Sequence, residues 1–291
     1  MSRWQKMIRN AVVAGMFYDL DPNRLKENIK TCFLHKLGPG KLPEEPGNLP
    51  PTILGLVAPH AGYIYSGVSA SHSYFELSQE KQPDLFILLG PNHTSLGSGI
   101  SLMNSGIWKT PLGDVSIDSD VAEAISNADE ANIIDVESIG HQAEHSIEVQ
   151  LPFLQFLYGD KFRFVPISMM LQDVRTAKEV GQAIAQGLKN SEVNAVIIAS
   201  TDFSHYEPHE TAQKKDRSAI DAILELNEEK LYDTVSSLNI SMCGYGPVMA
   251  MLTATKLLGA KDAKLLSYTT SGDTSGNYKQ VVGYAAIKIL K

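Results

Sequence analysis

Short apolar runs alternate along this chain with stretches of helical periodicity, and that alternation restricts its fold more than any other feature. Residues 52–58 (TILGLVA), 84–89 (DLFILL), 162–168 (FRFVPIS) and 194–199 (NAVIIA) are nearly unbroken apolar segments of strand length. Such runs read as strands buried on both faces, as in parallel sheets covered by helices. Helical spacing appears at 22–37, 67–77, 119–127, 146–157, 174–189, 212–226 and 247–258, and strand character returns at 264–268 and 281–289. The pattern predicts an α/β fold in a single domain over 1–291, with an open, largely parallel or mixed sheet flanked by helices on both faces. A (β/α)₈ barrel is the alternative at this length, but six or seven strand candidates and unevenly spaced helices favour the open sheet. Residues 38–51 (GPGKLPEEPGNLPP) hold five of the fourteen prolines and must be loop. Too little chain precedes that loop to form a core of its own, so it lies within the domain.

Composition narrows the function classes. The 291 residues carry 25 Lys+Arg against 33 Asp+Glu, a net charge of −8. An acidic chain is poorly suited to nucleic acid or anionic membrane, which reward basic patches. Cys32 and Cys243 are the only cysteines. That argues against a disulfide framework and for a reducing, cytoplasmic setting. No apolar run approaches the roughly 20 residues of a membrane span. The opening segment MSRWQKMIRNAVVAGMFY is interrupted by Arg9 and Asn10 and lacks the apolar core of a secretory signal.

Three strand candidates end alike. TILGLVA runs into Pro59-His60-Ala61-Gly62-Tyr63, DLFILLG into Pro91-Asn92-His93, and AVIIAS into Thr201-Asp202-Phe203-Ser204-His205. Ligands of open α/β sheets bind beyond the carboxyl ends of strands, so three histidines at that position form a candidate site. His35, His72, His209 and His141 sit in helical or flanking contexts and read as structural. His145 and Glu148, three apart at the start of the 146–157 pattern, share a helix face. For Glu148 the expected role is to favour the positive end of the helix dipole. Cys243 precedes the 247–258 helix. A helix start can lower a thiol's pKa, and Gly244 and Gly246 beside it suggest a tight, exposed turn. Cys32, within the amphipathic N-terminal helix, reads as core.

A cysteine with several histidines fits two chemistries. One is a metal site of two imidazoles and a thiolate with coordination positions left open. The other is a Cys–His nucleophile pair with Asp202 orienting His205, as in acyl transfer. No GxGxxG or GxxxxGK[ST] motif supports a dinucleotide or P-loop site.

Ala58-Pro59-His60-Ala61-Gly62-Tyr63, Gly90-Pro91-Asn92-His93, Glu144-His145-Ser146-Ile147-Glu148, Ser200-Thr201-Asp202-Phe203-Ser204-His205 and Cys243-Gly244 occur in this order. With Ala14-Gly15-Met16-Phe17-Tyr18 and Trp108-Lys109-Thr110-Pro111-Leu112-Gly113, the ordered set resembles the Memo family, named after the human mediator of ErbB2-driven cell motility. The resemblance implies a fold like the class III extradiol dioxygenases, such as the catalytic subunit of protocatechuate 4,5-dioxygenase. It implies His60, His93 and Cys243 as ligands of iron or copper, with zinc as a further option. Asp202 and His205 would be the catalytic pair, His205 standing where the dioxygenases keep an acid/base histidine. His145, Asn92 and Tyr63 would line the pocket. Cys243 takes the place of the dioxygenase carboxylate, and a soft thiolate favours copper or zinc. Prokaryotic members also resemble one component of a three-part system containing a radical-SAM protein. The expected function is therefore metal binding with a redox or oxygen-related role. The alternatives are an active dioxygenase on a small phenolic substrate, and a non-enzymatic module whose vestigial pocket binds a peptide or partner protein; the expected ligand is a small molecule or peptide.

Overall fold

The computed structural model describes residues 7–44 and 47–291; the first six residues of the opening segment and Glu45–Pro46 of the proline-rich loop lie outside it. The strands in chain order begin with β1 (Ile8–Arg9), β2 (Ile53–Ala58), β3 (Leu85–Pro91), β4 (Ile100–Leu102), β5 (Ile107–Thr110) and β6 (Gly113–Ile117). They continue with β7 (Asp135–Val136), β8 (Arg163–Met169), β9 (Ala195–Ser200), β10 (His205–Glu207), β11 (Asp262–Thr270) and β12 (Val281–Leu290). The helices are α1 (Pro22–Leu34), α2 (Tyr63–Ser78), α3 (Ser119–Asn127), α4 (Ile139–Gln142) and α5 (Leu151–Tyr158). After them come α6 (Val174–Ser191), α7 (His209–Leu224), α8 (Glu228–Ser237), α9 (Tyr245–Leu257) and α10 (Ser271–Ser275).

The sheet is open and mixed, in the order β1-β5-β6-β8-β3-β9-β2-β12-β10. Its centre, β8-β3-β9-β2, is parallel, and β12 runs antiparallel to β2. Every residue of β2, β3 and β9 is buried, which is why these strands are continuous apolar runs. One core lies under α3, α6, α7, α8 and α9 and the other under α1, α2 and α5, so each face of the sheet is covered. Among the described residues the sheet does not close into a barrel.

The expected central strands and most helices stand within one to four residues of their sequence positions. The expected helix over 22–37 ends at Leu34, where His35 turns extended. The expected helix over 146–157 is split: a 3₁₀ turn at Glu148–Gln150 precedes α5, and His145 lies in the loop ahead of both. His145 and Glu148 therefore share no helix face. Glu148 does stand in the first turn of the 3₁₀ segment. Its carboxylate is fully buried and takes Arg9, the amides of Val12 and Val13, and the Tyr18 hydroxyl. Among the described residues no helix is long and apolar enough to cross a membrane.

Candidate metal centre

Adjacent parallel strands deliver the site. β3, β9 and β2 are neighbours in register, with Leu89 opposite Ala199 and Ala58 opposite Ser200. Their carboxyl ends therefore release His93, Asp202 and His60 side by side at one edge of the sheet. Cys243 arrives from the α8–α9 loop. Its amide donates to the Asp202 carbonyl at 3.2 Å, and the Gly244 amide donates to Thr201 Oγ1 at 2.9 Å. Gly244 must be glycine for this approach, since a Cβ there would run into the Ser200 carbonyl oxygen.

The donor atoms of His60, His93 and Cys243 lie within 4.8 Å of one another. Their hydrogen bonds fix which atoms are free. Ser200 Oγ donates to the Ser146 carbonyl at 2.7 Å and accepts from Gln150 Nε2 at 2.8 Å. Its proton is thus committed, and toward His60 Nδ1 at 2.9 Å it can only accept. His60 carries its proton on Nδ1 and presents a bare Nε2, 3.3 Å from Cys243 Sγ. His93 Nδ1 donates to Glu144 Oε1 at 3.0 Å, which leaves His93 Nε2 as an acceptor too. Two nitrogen lone pairs and one sulfur, sharing a single S–H proton, converge on one point. This electron-rich set fits a cation with nitrogen and sulfur preference.

Of the three, only His60 is held in the ligating, unprotonated form by its surroundings. Burial drives the His60 imidazole well below the usual histidine range, so it is neutral. Burial lowers His93 as well, but the Glu144 carboxylate beside it outweighs this and raises it. Burial, then the Asp202 carboxylate, push the Cys243 thiol above the usual cysteine range. This corrects the expectation of an exposed turn with a lowered thiol pKa: the residue is half-buried and its thiol is raised, and only a bound cation would offset the desolvation of a thiolate there.

Motif reading included Glu144 in the run 144–148 but gave it no role at the site. His93, Glu144 and His145 form a second close donor group. The Glu144 carboxylate, however, already accepts from His93 Nδ1, from the His93 amide, and from the amides of His145 and Ser146 at 2.8 Å each. Burial opposes its charge, but the His93 hydrogen bonds hold its carboxyl down at about 2. Glu144 thus orients His93 rather than offering a ligand atom. Its buried, acid-rich EHSIE context was the only sequence signal.

A cavity of about 630 Å³ opens beside the donor set, lined by His60, His93, His145, Asp202 and His205. His145 stacks on His93 with ring centroids 4.8 Å apart and meets the edge of Phe17 at 4.7 Å. His205 Nδ1 donates to the Ser241 carbonyl at 2.8 Å, so its Nε2 is the free, basic atom. Asp202 does not orient His205, contrary to expectation. Its Oδ1 accepts from the His60 amide at 2.8 Å, and burial pushes its carboxyl up to about 6. Two expected pocket residues stand elsewhere. Asn92 spends its side chain on Thr94, Ser95 and Leu96, folding its own turn. Tyr63 is buried, donates to the Val149 carbonyl at 2.7 Å, and borders a different cavity beside α1. Cys32 packs in the core, where burial raises its thiol to about 12.

A "Memo-like protein" family model matches residues 9–288. A MEMO1 family protein of Methanopyrus kandleri is 51% identical over 97% of this chain and 98% of its own. One from Methanococcus maripaludis strain C6 is 53% identical over 97% and 100%, and one from Sulfolobus acidocaldarius 46% over 97% and 99%. Among solved structures, an uncharacterized protein from Escherichia coli K12 has a TM-score of 0.55 at 13% identity, over 81% of this chain and 99% of that one. That match is a likeness of fold alone. With whole-length identity near one half and the family model spanning β1 to β12, the chain belongs to the Memo family.

Proposed function

We propose that this protein binds a transition metal, iron or copper, between His60, His93 and Cys243, and that the site has a redox or oxygen-related role. The observation that carries the reading is the pair of bare Nε2 atoms aimed with Cys243 Sγ at one point, each fixed by a partner on its Nδ1. Zinc would satisfy the same donors without redox chemistry. A bound iron or copper would supply electron transfer or oxygen chemistry. The protein's own contribution is to hold the ligands and to present the unbonded Nε2 of His205 at the cavity wall. The Cys–His nucleophile reading fares worse, because the thiol is pushed up rather than down and Asp202 does not orient His205.

A cavity large enough for a small molecule lies against the ligand set, walled in part by Phe17, Tyr65 and Tyr206. This favours a second reading, turnover of a small aromatic or phenolic substrate, over a vestigial interaction face. The test is metal content of untagged protein, followed by oxygen uptake with a panel of catechols. About one metal per chain with uptake supports the oxygenase, and metal without uptake supports a redox or storage role. No metal after anaerobic loading with iron(II) or copper(I) would overturn both.

A further inference from the structure

Five tyrosines are buried among the described residues: Tyr18, Tyr63, Tyr74, Tyr158 and Tyr284. Four of them give their hydroxyl proton to a protein acceptor: Glu148, the Val149 carbonyl, Gln150 and the Leu77 carbonyl respectively. Tyr284, on β12, is 1% exposed, and its hydroxyl has no hydrogen-bond partner among the described residues. It is not an enclosed orphan either, because the residue lines the cavity beside the metal ligands. A buried phenol normally finds a partner, so one left unpaired at a cavity wall marks where a ligand would supply the acceptor. Asp202 faces the same space with one oxygen committed to the His60 amide.

The remainder of that wall is uncharged. Ser271, Asn277 and Gln280 line it, no Lys or Arg does, and Asp202 is the only acidic lining residue. A carboxylate or phosphate entering this half would meet Asp202 with no Lys or Arg to offset it. Tyr206, at the mouth, is 73% exposed and holds a left-handed backbone (φ +58°) where the β10–β12 register shifts. Backbone strain of this kind gathers at ligand sites, and here it places an aromatic ring beside the wall.

We propose that Tyr284 is the ligand-contacting hydrogen-bond donor of this cavity, and that with Ser271, Asn277 and Gln280 it accommodates a neutral hydroxyl or amide group in preference to a carboxylate or phosphate. The inference deepens the reading of the cavity as a substrate site and rests on it. It is tested on the full chain after chelation, titrated with benzamide, benzyl alcohol, benzoate and phenyl phosphate and followed by ligand-observed NMR. The neutral probes should bind, and the anionic ones at least about tenfold more weakly. Tyr284→Phe should weaken the neutral probes by about fivefold to tenfold, while Tyr158→Phe, remote from the cavity, leaves them unchanged. Asn277→Ala, at an exposed position, should weaken them by about twofold to threefold. Wild-type affinity in both Tyr284→Phe and Asn277→Ala would overturn the proposal. So would benzoate binding as tightly as benzamide, or no probe binding to wild type. Failure of the metal reading shows separately, as absent metal uptake in the same preparations with probe binding intact.

Discussion

His93 works through the residue behind it. Glu144 fixes the His93 proton on Nδ1 and so turns the bare Nε2 toward Cys243. Glu144→Gln keeps the shape but lets the amide present either donor or acceptor, so metal affinity should fall about 10–100-fold, as is usual when a ligand's outer partner is lost. Competition with a chromophoric chelator measures this, and unchanged affinity would remove Glu144 from the account. His205→Ala should remove any turnover while keeping metal affinity within about tenfold of wild type, because His205 contacts the cavity and not the donor set. Complete loss of metal in that variant would make His205 a ligand. The strand-end histidines were legible in sequence because each follows a buried apolar run, with a Pro/Gly exit at His60 and His93. Glu144 and Tyr284 were not. A carboxylate folded onto backbone amides, or a tyrosine in an apolar strand, has no distinguishing local pattern, and only the packing of distant segments reveals its partner or the lack of one.

At the scale of elements, the N-terminal segment acts as a strap across the site. Arg9 pairs with Glu148 and lies 4.1 Å over the Trp108 ring. The Val12 and Val13 amides and the Tyr18 hydroxyl join the same carboxylate, which seats Phe17 against His145. Glu148→Ala strands a buried guanidinium and should cost about 3–5 kcal/mol in urea unfolding. The double variant Arg9→Met/Glu148→Leu, which buries no charge, should recover most of it. A loss below about 1 kcal/mol for Glu148→Ala would show the strap to be dispensable. None of this was visible in the sequence, where Glu148 reads as an ordinary helix start. The short strands β4 to β7 were missed for a related reason. They are two to five residues long and several are partly exposed, so neither alternation nor a buried run marks them. The central strands were legible because burial on both faces demands apolar residues at every position.

For the whole molecule, acid stability follows from His141. It is fully buried against Trp108, and its Nε2 donates to the Ser101 carbonyl at 3.0 Å while Nδ1 has no partner. Burial lowers its pKa to about 4. A histidine depressed on folding stabilises the protein fully above its unfolded value near 6.5, and that contribution is lost as pH falls from about 6.5 to 4. The depression corresponds to about 3 kcal/mol. Asp202, raised by burial to about 6, acts in the opposite sense between its unfolded value and 6, so the comparison with His141→Gln isolates the histidine. Between pH 6.5 and 4 wild type should lose more stability than His141→Gln, read from urea midpoints. Parallel curves would contradict the assignment. The central claim concerns the three ligands, and X-ray absorption of the metal-loaded protein tests it most directly. Loaded with zinc, the spectrum should show one sulfur at about 2.3 Å and two imidazole nitrogens at about 2.0–2.1 Å, and Cys243→Ser should erase the sulfur shell. A shell of nitrogen and oxygen alone in the wild type, or a sulfur shell that survives Cys243→Ser, would contradict the account.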